Sequence, residues 1–191
     1  MNHTPELLSQ LQQLVAGVSN IERHHYHPGT DQHENVAEHS LSVATLSWFL
    51  HQHVASTTNL DLVLKYAIIH DFVEIYADDV HTFADPKARQ RKEVDEAKAL
   101  GRLTSELTYF PDITTCLQDY QAMASPEARF VWSVDKIQAY ILGNLDEWRP
   151  YREYPVSLEQ FQAKQAEHLE QCTPELQPIF RDLIAYTLKT Y

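Results

Sequence analysis

The chain has 191 residues, with 27 Asp and Glu against 15 Lys and Arg, which gives a formal net charge of −12. Hydrophobic residues make up 43% and charged residues 22%, as in an ordinary globular protein with one core. This acidic balance disfavours binding to nucleic-acid polymers or to anionic membranes, because both need a basic surface. The acidic composition does not exclude a small phosphorylated substrate, because a bound metal ion can make the local electrostatic potential positive.

Cysteine usage and hydropathy favour a cytoplasmic protein. The two cysteines, Cys116 and Cys172, are too far apart in sequence for a CxxC motif and too few for a disulfide framework. No apolar run approaches the roughly 20 residues that cross a bilayer. The polar start of the chain lacks the basic and apolar regions of a signal peptide.

Helical patterns follow one another along the chain. Thr4-Pro5-Glu6 combines a capping hydroxyl, a proline and an acid, which is typical of a helix start, and the same signature returns at Thr173. The pattern therefore predicts helices beginning at Thr4 and at Thr173, and others over residues 34–54, 61–76, 87–107, 126–148 and 157–169. Loops are predicted at residues 27–30, 78–86, 125–126 and 150–155.

The predicted fold class is all-α, because no strand-like alternation is sustained and hairpin dipeptides are absent. No linker or composition change divides the chain, so we expect a single domain over residues 1–191.

Ionisable side chains interrupt three of the apolar helical stripes. His39 shares a face with Val36 and Val43, the pair His70-Asp71 ends an apolar run, and Asp135 follows Val131 by one turn. A buried carboxylate without a partner costs several kcal/mol, so each aspartate should have one. Two imidazoles and two carboxylates around one cation would satisfy all four, and these ligands suit Zn, Mn, Fe, Co or Ni.

The remaining histidines and the tryptophans have simpler interpretations. We expect a solvated loop cluster in which one histidine lines the substrate pocket, and it comprises His24, His25, His27 and His33. Surface positions are expected for His51, His53 and His168. Core positions are expected for Trp48, Trp132 and Trp148. The basic residues of 87–92 are expected on an exposed helix face.

Three segments together resemble the HD-domain phosphohydrolase superfamily. They are ENVAEHS at residues 34–40, HDFVEIYADD at 70–79 and VDKIQAY at 134–140. A lone His-Asp pair is a weak signal, but the ordered set is specific, and the nearest branch resembles the small bacterial HD hydrolases that include 5′-deoxynucleotidases. The resemblance implies an all-α HD-type helical bundle with a motif core at about residues 20–145 and C-terminal helices over 157–191 packed on it.

The resemblance also implies roles for individual residues. The implied metal ligands are His39, His70, Asp71 and Asp135. Glu74 matches the catalytic glutamate of the family, and Asp79 matches a further acid of this branch. Arg23 matches a basic residue used on the substrate phosphate, and His24 stands where the deoxynucleotidases carry Trp.

The implied activity is hydrolysis of a small phosphomonoester by metal-activated water, with a nucleoside or deoxynucleoside 5′-monophosphate as the first substrate class. The expected cofactor is one divalent metal ion, which is Mn, Co, Zn, Fe, Ni or Mg. The alternatives are a phosphodiesterase or nucleoside triphosphate hydrolase on the same scaffold, or a regulatory module that binds a metal or ligand without turnover. The family resemblance suggests a homodimer.

Overall fold

Helices dominate the computed structural model, which describes residues 4–77, 83, 86–153 and 156–190. The fold class predicted from the sequence, all-α, is confirmed. No helix in these ranges is long and apolar enough to cross a membrane. In chain order the elements are α1 (Thr4–Ser19), β1 (Glu22–Tyr26), β2 (His33–Asn35), α2 (Val36–His53), α3 (Leu60–Ile69), α4 (Glu74–Ala77), α5 (Pro86–Glu106), α6 (Pro111–Gln121), α7 (Pro126–Leu145), α8 (Arg149–Glu153), α9 (Leu158–Gln171) and α10 (Gln177–Thr190).

Helix α7 is the central element of the fold. Ser125 caps it by accepting a hydrogen bond from the backbone N–H of Ala128, and Pro126 occupies its first turn. Helices α2, α3, α9 and α10 all contact α7. Gly143 allows a close approach near its end, because a Cβ atom there would lie 2.8 Å from the ring of the buried Trp148. A polar side chain at the middle of α7 is therefore enclosed by its neighbours.

Helix α2 begins directly after the hairpin formed by β1 and β2. Asn35 accepts a hydrogen bond from the backbone N–H of Glu38, and the Glu38 side chain accepts one from the backbone N–H of Asn35, which is a capping box. The buried face of α2 includes Val36, His39 and Val43, as their spacing predicts.

The predicted helix over 61–76 is wrong as a single element, because the chain breaks it into α3 and α4. Between them, the N–H groups of Phe72 and Glu74 donate to the carbonyl oxygens of Ile69 and Asp71 at 2.9 and 3.0 Å. These bonds span three residues instead of four, so the turn is tighter than an α-helix. The turn separates His70 from Glu74 and starts a new helix at Glu74.

The structure corrects the sequence prediction around the histidine-rich segment. Residues His24 and His25 belong to β1 and His33 belongs to β2, which pair antiparallel, so this segment is not a loop. Strands of five and three residues are too short to show sustained alternation. The chain reverses at the predicted loop 27–30, where Gly29 adopts a φ of 75° that favours glycine.

Other elements also differ from the prediction. Helix α6 was not predicted, and α8 lies in the predicted loop 150–155. Helix α10 begins at Gln177 instead of Thr173, because residues 174–176 form a turn whose last N–H, on Leu176, donates to the Thr173 carbonyl oxygen at 3.0 Å. The expected positions of His168 and Trp48 are wrong: His168 is buried, and Trp48 is exposed.

Candidate metal centre

Two histidine rings meet in the interior of the protein. His39 lies one turn into α2 and is fully buried, and His70, the residue after α3, is almost fully buried. Their Nε2 atoms lie 3.2 Å apart. The capped first turn of α2 and the tight turn after α3 thus bring together two residues that are 31 positions apart.

Hydrogen bonds on the far side of each ring fix its tautomer. Gln138 donates from Nε2 to Glu34 Oε1 at 2.8 Å, so its own Oε1 faces His39 Nδ1 at 3.1 Å, and that ring nitrogen donates. His70 Nδ1 lies 2.9 Å from the carbonyl oxygen of Ala67 and donates to it. In the neutral rings both Nε2 atoms therefore carry lone pairs, and lone pairs 3.2 Å apart require a positive charge between them.

Two aspartates complete the cluster. Asp135 Oδ1 lies 3.1 Å from His39 Nε2, and Asp71 Oδ2 lies 3.5 Å from His39 Nε2 and 3.3 Å from His70 Nε2. Burial lowers the pKa of His39, but hydrogen bonds to Asp135 and Glu34 outweigh burial and raise that pKa above its usual value. The surroundings thus favour positive charge at this point.

The pKa values of both aspartates are low despite their burial. Burial raises the pKa of Asp71, but His70 and the Arg23 guanidinium outweigh it and hold the pKa below its usual range. Burial likewise raises the pKa of Asp135, and the Lys136 ammonium and His39 hold it well below the usual range. Both side chains are therefore carboxylates, the form that binds metal.

These donor atoms fit one divalent cation. One atom each from His39, His70 and Asp135 lies within 4.8 Å of the other two. Two donors that each lie about 2.1 Å from an ion and at right angles to each other are about 3 Å apart, close to the observed spacings. Asp71 approaches both imidazoles from Oδ2 and can supply a fourth ligand.

Basic side chains accompany the acidic ones around the centre. Arg23 contacts Glu34 and Asp71, and Lys136 contacts Asp135. Lys92 contacts Glu74 and Glu96.

Glu74 lies beside the turn that carries His70 and Asp71. It is the first residue of α4 and is buried, and its backbone N–H donates to the Asp71 carbonyl oxygen. Its Oε1 lies 4.0 Å from Lys92 Nζ, which also lies 3.5 Å from Glu96 Oε1 on α5. Burial raises the pKa of Glu96. Lys92 therefore bridges the carboxylates of α4 and α5 and does not sit on a freely exposed face as the sequence suggested.

The buried Tyr120 of α6 shows how closely the acids surround the centre. Its ring packs edge-on against His70, with centroids 5.8 Å apart. Burial is the main cause that raises its pKa well above the usual value, and nearby negative charges add to it. The hydroxyl therefore stays protonated. The contributing carboxylates are Asp135, Asp71, Glu96 and Glu74.

Arg23 reaches the centre from strand β1. Its Nη1 donates to Asp71 Oδ2 at 2.8 Å, and its Nε lies 3.5 Å from Glu34 Oε2. His24, the next residue in β1, is exposed, while Arg23 is largely buried, as strand alternation requires. The structure thus brings Arg23 to the cluster, while His24 lies at an exposed position of β1. Asp79 lies outside the described residues.

Three residues of the centre were not identified from the sequence as site residues. Glu34 and Gln138 orient His39, and Lys136 contacts Asp135 Oδ2 at 2.7 Å. Gln138 lies three residues after Asp135, so the sequence places both polar side chains on the same buried face of the helix. That spacing could have identified Gln138 as a residue of the site. Glu34 gave no such signal, because its role depends on where the hairpin lies.

Comparisons with known proteins identify the family and the fold. The HD domain family matches residues 18–177 of the chain. A predicted metal-dependent phosphohydrolase from Magnetospirillum magnetotacticum shares the fold with a TM-score of 0.79 and 22% identity, over 96% of this chain and 93% of that one. An HD-domain phosphohydrolase from Listeria innocua has a TM-score of 0.65 and 19% identity, over 95% and 92% of the two chains.

A curated relative is 25% identical over 119 residues, the 5′-deoxynucleotidase hdd1 of Schizosaccharomyces pombe. The match covers 59% of this chain and 58% of the relative, so it spans little more than half of either protein. The chain belongs to the HD domain family. The family resemblance drawn from the sequence is thus confirmed at the level of the HD domain.

Proposed function

We propose that this HD-domain protein is a metal-dependent hydrolase that cleaves a small phosphomonoester, and that its preferred substrate class is a nucleoside or deoxynucleoside 5′-monophosphate. One observation carries the proposal: the Nε2 atoms of His39 and His70 lie 3.2 Å apart, with Asp135 Oδ1 3.1 Å from the first and Asp71 Oδ2 3.3 Å from the second. Imidazole and carboxylate donors at these distances suit a divalent cation. The ligands we assign to it are His39, His70, Asp71 and Asp135.

A divalent ion bound there supplies Lewis-acid chemistry, because it polarises a phosphoryl oxygen and lowers the pKa of water. His39 and His70 would hold it in fixed tautomers, since Gln138 and a backbone carbonyl occupy their Nδ1 atoms. Asp71 and Asp135 would contribute negative charge.

Protein side chains would handle the proton and the phosphate. As water attacks phosphorus and the P–O bond to the leaving alcohol breaks, one proton must leave the water and one must reach the alcohol oxygen. Glu74 or Asp79 would orient the water or carry a proton, and buried Glu74 lies next to the metal-binding turn. Arg23, whose guanidinium is held on Asp71, would bind non-bridging phosphate oxygens.

The preference for a nucleotide monophosphate is supported by the partial match to a 5′-deoxynucleotidase. A substrate panel tests it. Purified protein is freed of metal with a chelator, reloaded with Mn²⁺ or Co²⁺, and supplied with nucleoside and deoxynucleoside mono- and triphosphates and a cyclic diester. The expected result is release of inorganic phosphate from monophosphates, which a chelator abolishes.

The variant Asp71→Asn tests whether the proposed metal centre is needed for turnover. The same substitution at exposed Asp119 on α6 is the matched control. We expect the first variant to lose turnover and the second to keep it. Full activity in Asp71→Asn, or after exhaustive chelation, would contradict the mechanism. Products other than inorganic phosphate would assign a diesterase or triphosphate hydrolase, and metal binding without turnover of any substrate would favour a regulatory module.

A further inference from the structure

Lys136 occupies a specific position at the rim of the centre. It follows Asp135 on α7, and its Nζ donates to Asp135 Oδ2 at 2.7 Å. The other oxygen, Asp135 Oδ1, lies 3.1 Å from His39 Nε2. One carboxylate thus links the ammonium group to the atoms that would hold the metal.

The ammonium of Lys136 has hydrogen-bonding capacity left. A lysine carries three N–H donors. Among the residues that the structure describes, Lys136 makes one hydrogen bond, to Asp135, and its Nζ lies 5.5 Å from the centroid of the Trp132 ring. The Lys136 side chain is 28% exposed, against 10% for Asp135. The Lys136 side chain is therefore nearer to solvent than the carboxylate that it contacts.

Arg23 and Lys136 approach the two aspartates from different elements. Arg23 on β1 donates to Asp71, and Lys136 on α7 donates to Asp135. Each of these hydrogen bonds ends on a carboxylate oxygen of a proposed metal ligand. A phosphoryl group that enters between the cations and the metal-binding atoms would meet positive charge from both elements.

We propose that Lys136 is a phosphate-binding residue that donates a hydrogen bond from Nζ to a non-bridging oxygen of the substrate. The proposal rests on the proposed function, because it deepens the same site. No covalent bond to Lys136 forms, and the proton stays on Nζ. Its role is to hold the phosphoryl group and to neutralise part of its charge.

A purely structural role for Lys136 predicts a different result from phosphate binding. If Lys136 only balanced the charge of Asp135 for folding, its removal would change stability and leave phosphate affinity unchanged in the folded protein. Removing a cation beside a metal ligand also removes repulsion toward a divalent ion, so metal affinity should stay equal or increase. A phosphate-binding lysine therefore combines weaker phosphate binding with undiminished metal binding.

The test uses the full chain loaded with Mn²⁺ and inorganic phosphate as the probe, measured by calorimetry. Variants Lys136→Met and Lys136→Arg are compared with Lys98→Met, an exposed lysine on α5. We expect Lys136→Met to bind phosphate about 10- to 100-fold more weakly. Lys136→Arg should recover much of that loss, because it restores the charge. Lys98→Met should match the wild type, and Mn²⁺ affinity should not fall in any variant.

The proposal would be overturned if folded Lys136→Met bound phosphate within about twofold of the wild type, or if the Mn²⁺-loaded wild type did not bind phosphate. A parallel tenfold loss of Mn²⁺ affinity would also overturn it, because Lys136 would then act on the centre itself. Thermal melting identifies a variant that does not fold. If Lys136→Met does not fold, the phosphate affinity of Lys136→Arg is compared with that of the wild type instead. Because phosphate binding needs no turnover, failure of the nucleotide panel leaves this test intact and refutes the substrate assignment alone.

Discussion

Gln138 and Glu34 lie 104 residues apart and share a hydrogen bond of 2.8 Å that determines which nitrogen of His39 faces the metal centre. The bond fixes the Gln138 amide, and the amide oxygen in turn holds His39 Nδ1 as a donor. Without it, the ring of His39 can rotate or change tautomer. The centre therefore depends on a hairpin residue, Glu34, which orients Gln138 and whose Oε2 also lies 3.5 Å from His39 Nδ1.

Replacing Gln138 with Met should weaken metal binding about 10- to 100-fold, because the isosteric side chain removes the acceptor for His39 Nδ1. Calorimetric titration with Mn²⁺ measures the effect. Exposed Gln52→Met on the same helix as His39 is the control and should bind like the wild type. Equal affinity in Gln138→Met would show that His39 is oriented without this hydrogen bond.

Metal binding should stabilise the fold. A ligand that binds only the folded state at 100 times its dissociation constant adds about 2.7 kcal/mol, so the melting temperature should rise when Mn²⁺ is added to chelated protein. Asp135→Asn should remove most of this rise, because it removes a charged ligand, and Asp119→Asn should keep it. A rise of equal size in Asp135→Asn would place the ion elsewhere.

Glu74→Gln should lower turnover by about 10² to 10⁴, because the amide cannot carry a proton, while Mn²⁺ affinity stays close to that of the wild type. Single-substrate kinetics at saturating Mn²⁺ measure the change in kcat. Exposed Glu93→Gln on α5 is the control. If Glu74→Gln loses metal affinity and kcat together, Glu74 is a ligand and not a proton carrier.

The candidate metal ligands could be found from the sequence because polar groups inside apolar stripes need partners. The structure brings atoms of His39, His70 and Asp135 within 4.8 Å of one another. The break between α3 and α4 was not accessible, because the apolar pattern continues through it from Ile69 to Ile75 and packing selects the tight turn.

Positions that depend on distant neighbours could not be predicted in the same way. Glu34 reaches His39 because a hairpin places it there, and neither strand is long enough to give a periodic signal. Trp48 is exposed on α2 although it is apolar, and His168 is buried although it is polar. Their burial depends on what packs beside each helix, which local sequence does not specify.

His168 should make the protein sensitive to acid. Burial lowers its pKa to about 3, and the positive charges of Lys136 and Lys164 act in the same direction. The unfolded chain binds the proton near pH 6.5, so the stability from neutral His168 is full above about pH 6.5 and is lost as pH falls toward 3. By pH 4.5 the loss is about 2 to 3 kcal/mol.

His168→Gln should therefore narrow the difference in unfolding free energy between pH 7 and pH 4.5, as measured by urea denaturation at both values. Exposed His53→Gln is the control and should keep the wild-type difference. An unchanged pH dependence in His168→Gln would show that this histidine is protonated in the folded protein.

The contact between Gly143 and Trp148 gives a test of the packing that supports α7. A methyl group at position 143 would lie 2.8 Å from the ring of Trp148, which is buried and held by a hydrogen bond from its Nε1 to Asn144 Oδ1. Gly143→Ala should destabilise the fold by about 1 to 3 kcal/mol in urea denaturation. Gly101→Ala on α5 is the matched control, because no atom lies within 4 Å of its added methyl, and alanine should stabilise the helix by about 0.5 to 1 kcal/mol. Equal effects of the two substitutions would mean that the Trp148 ring moves aside at little cost.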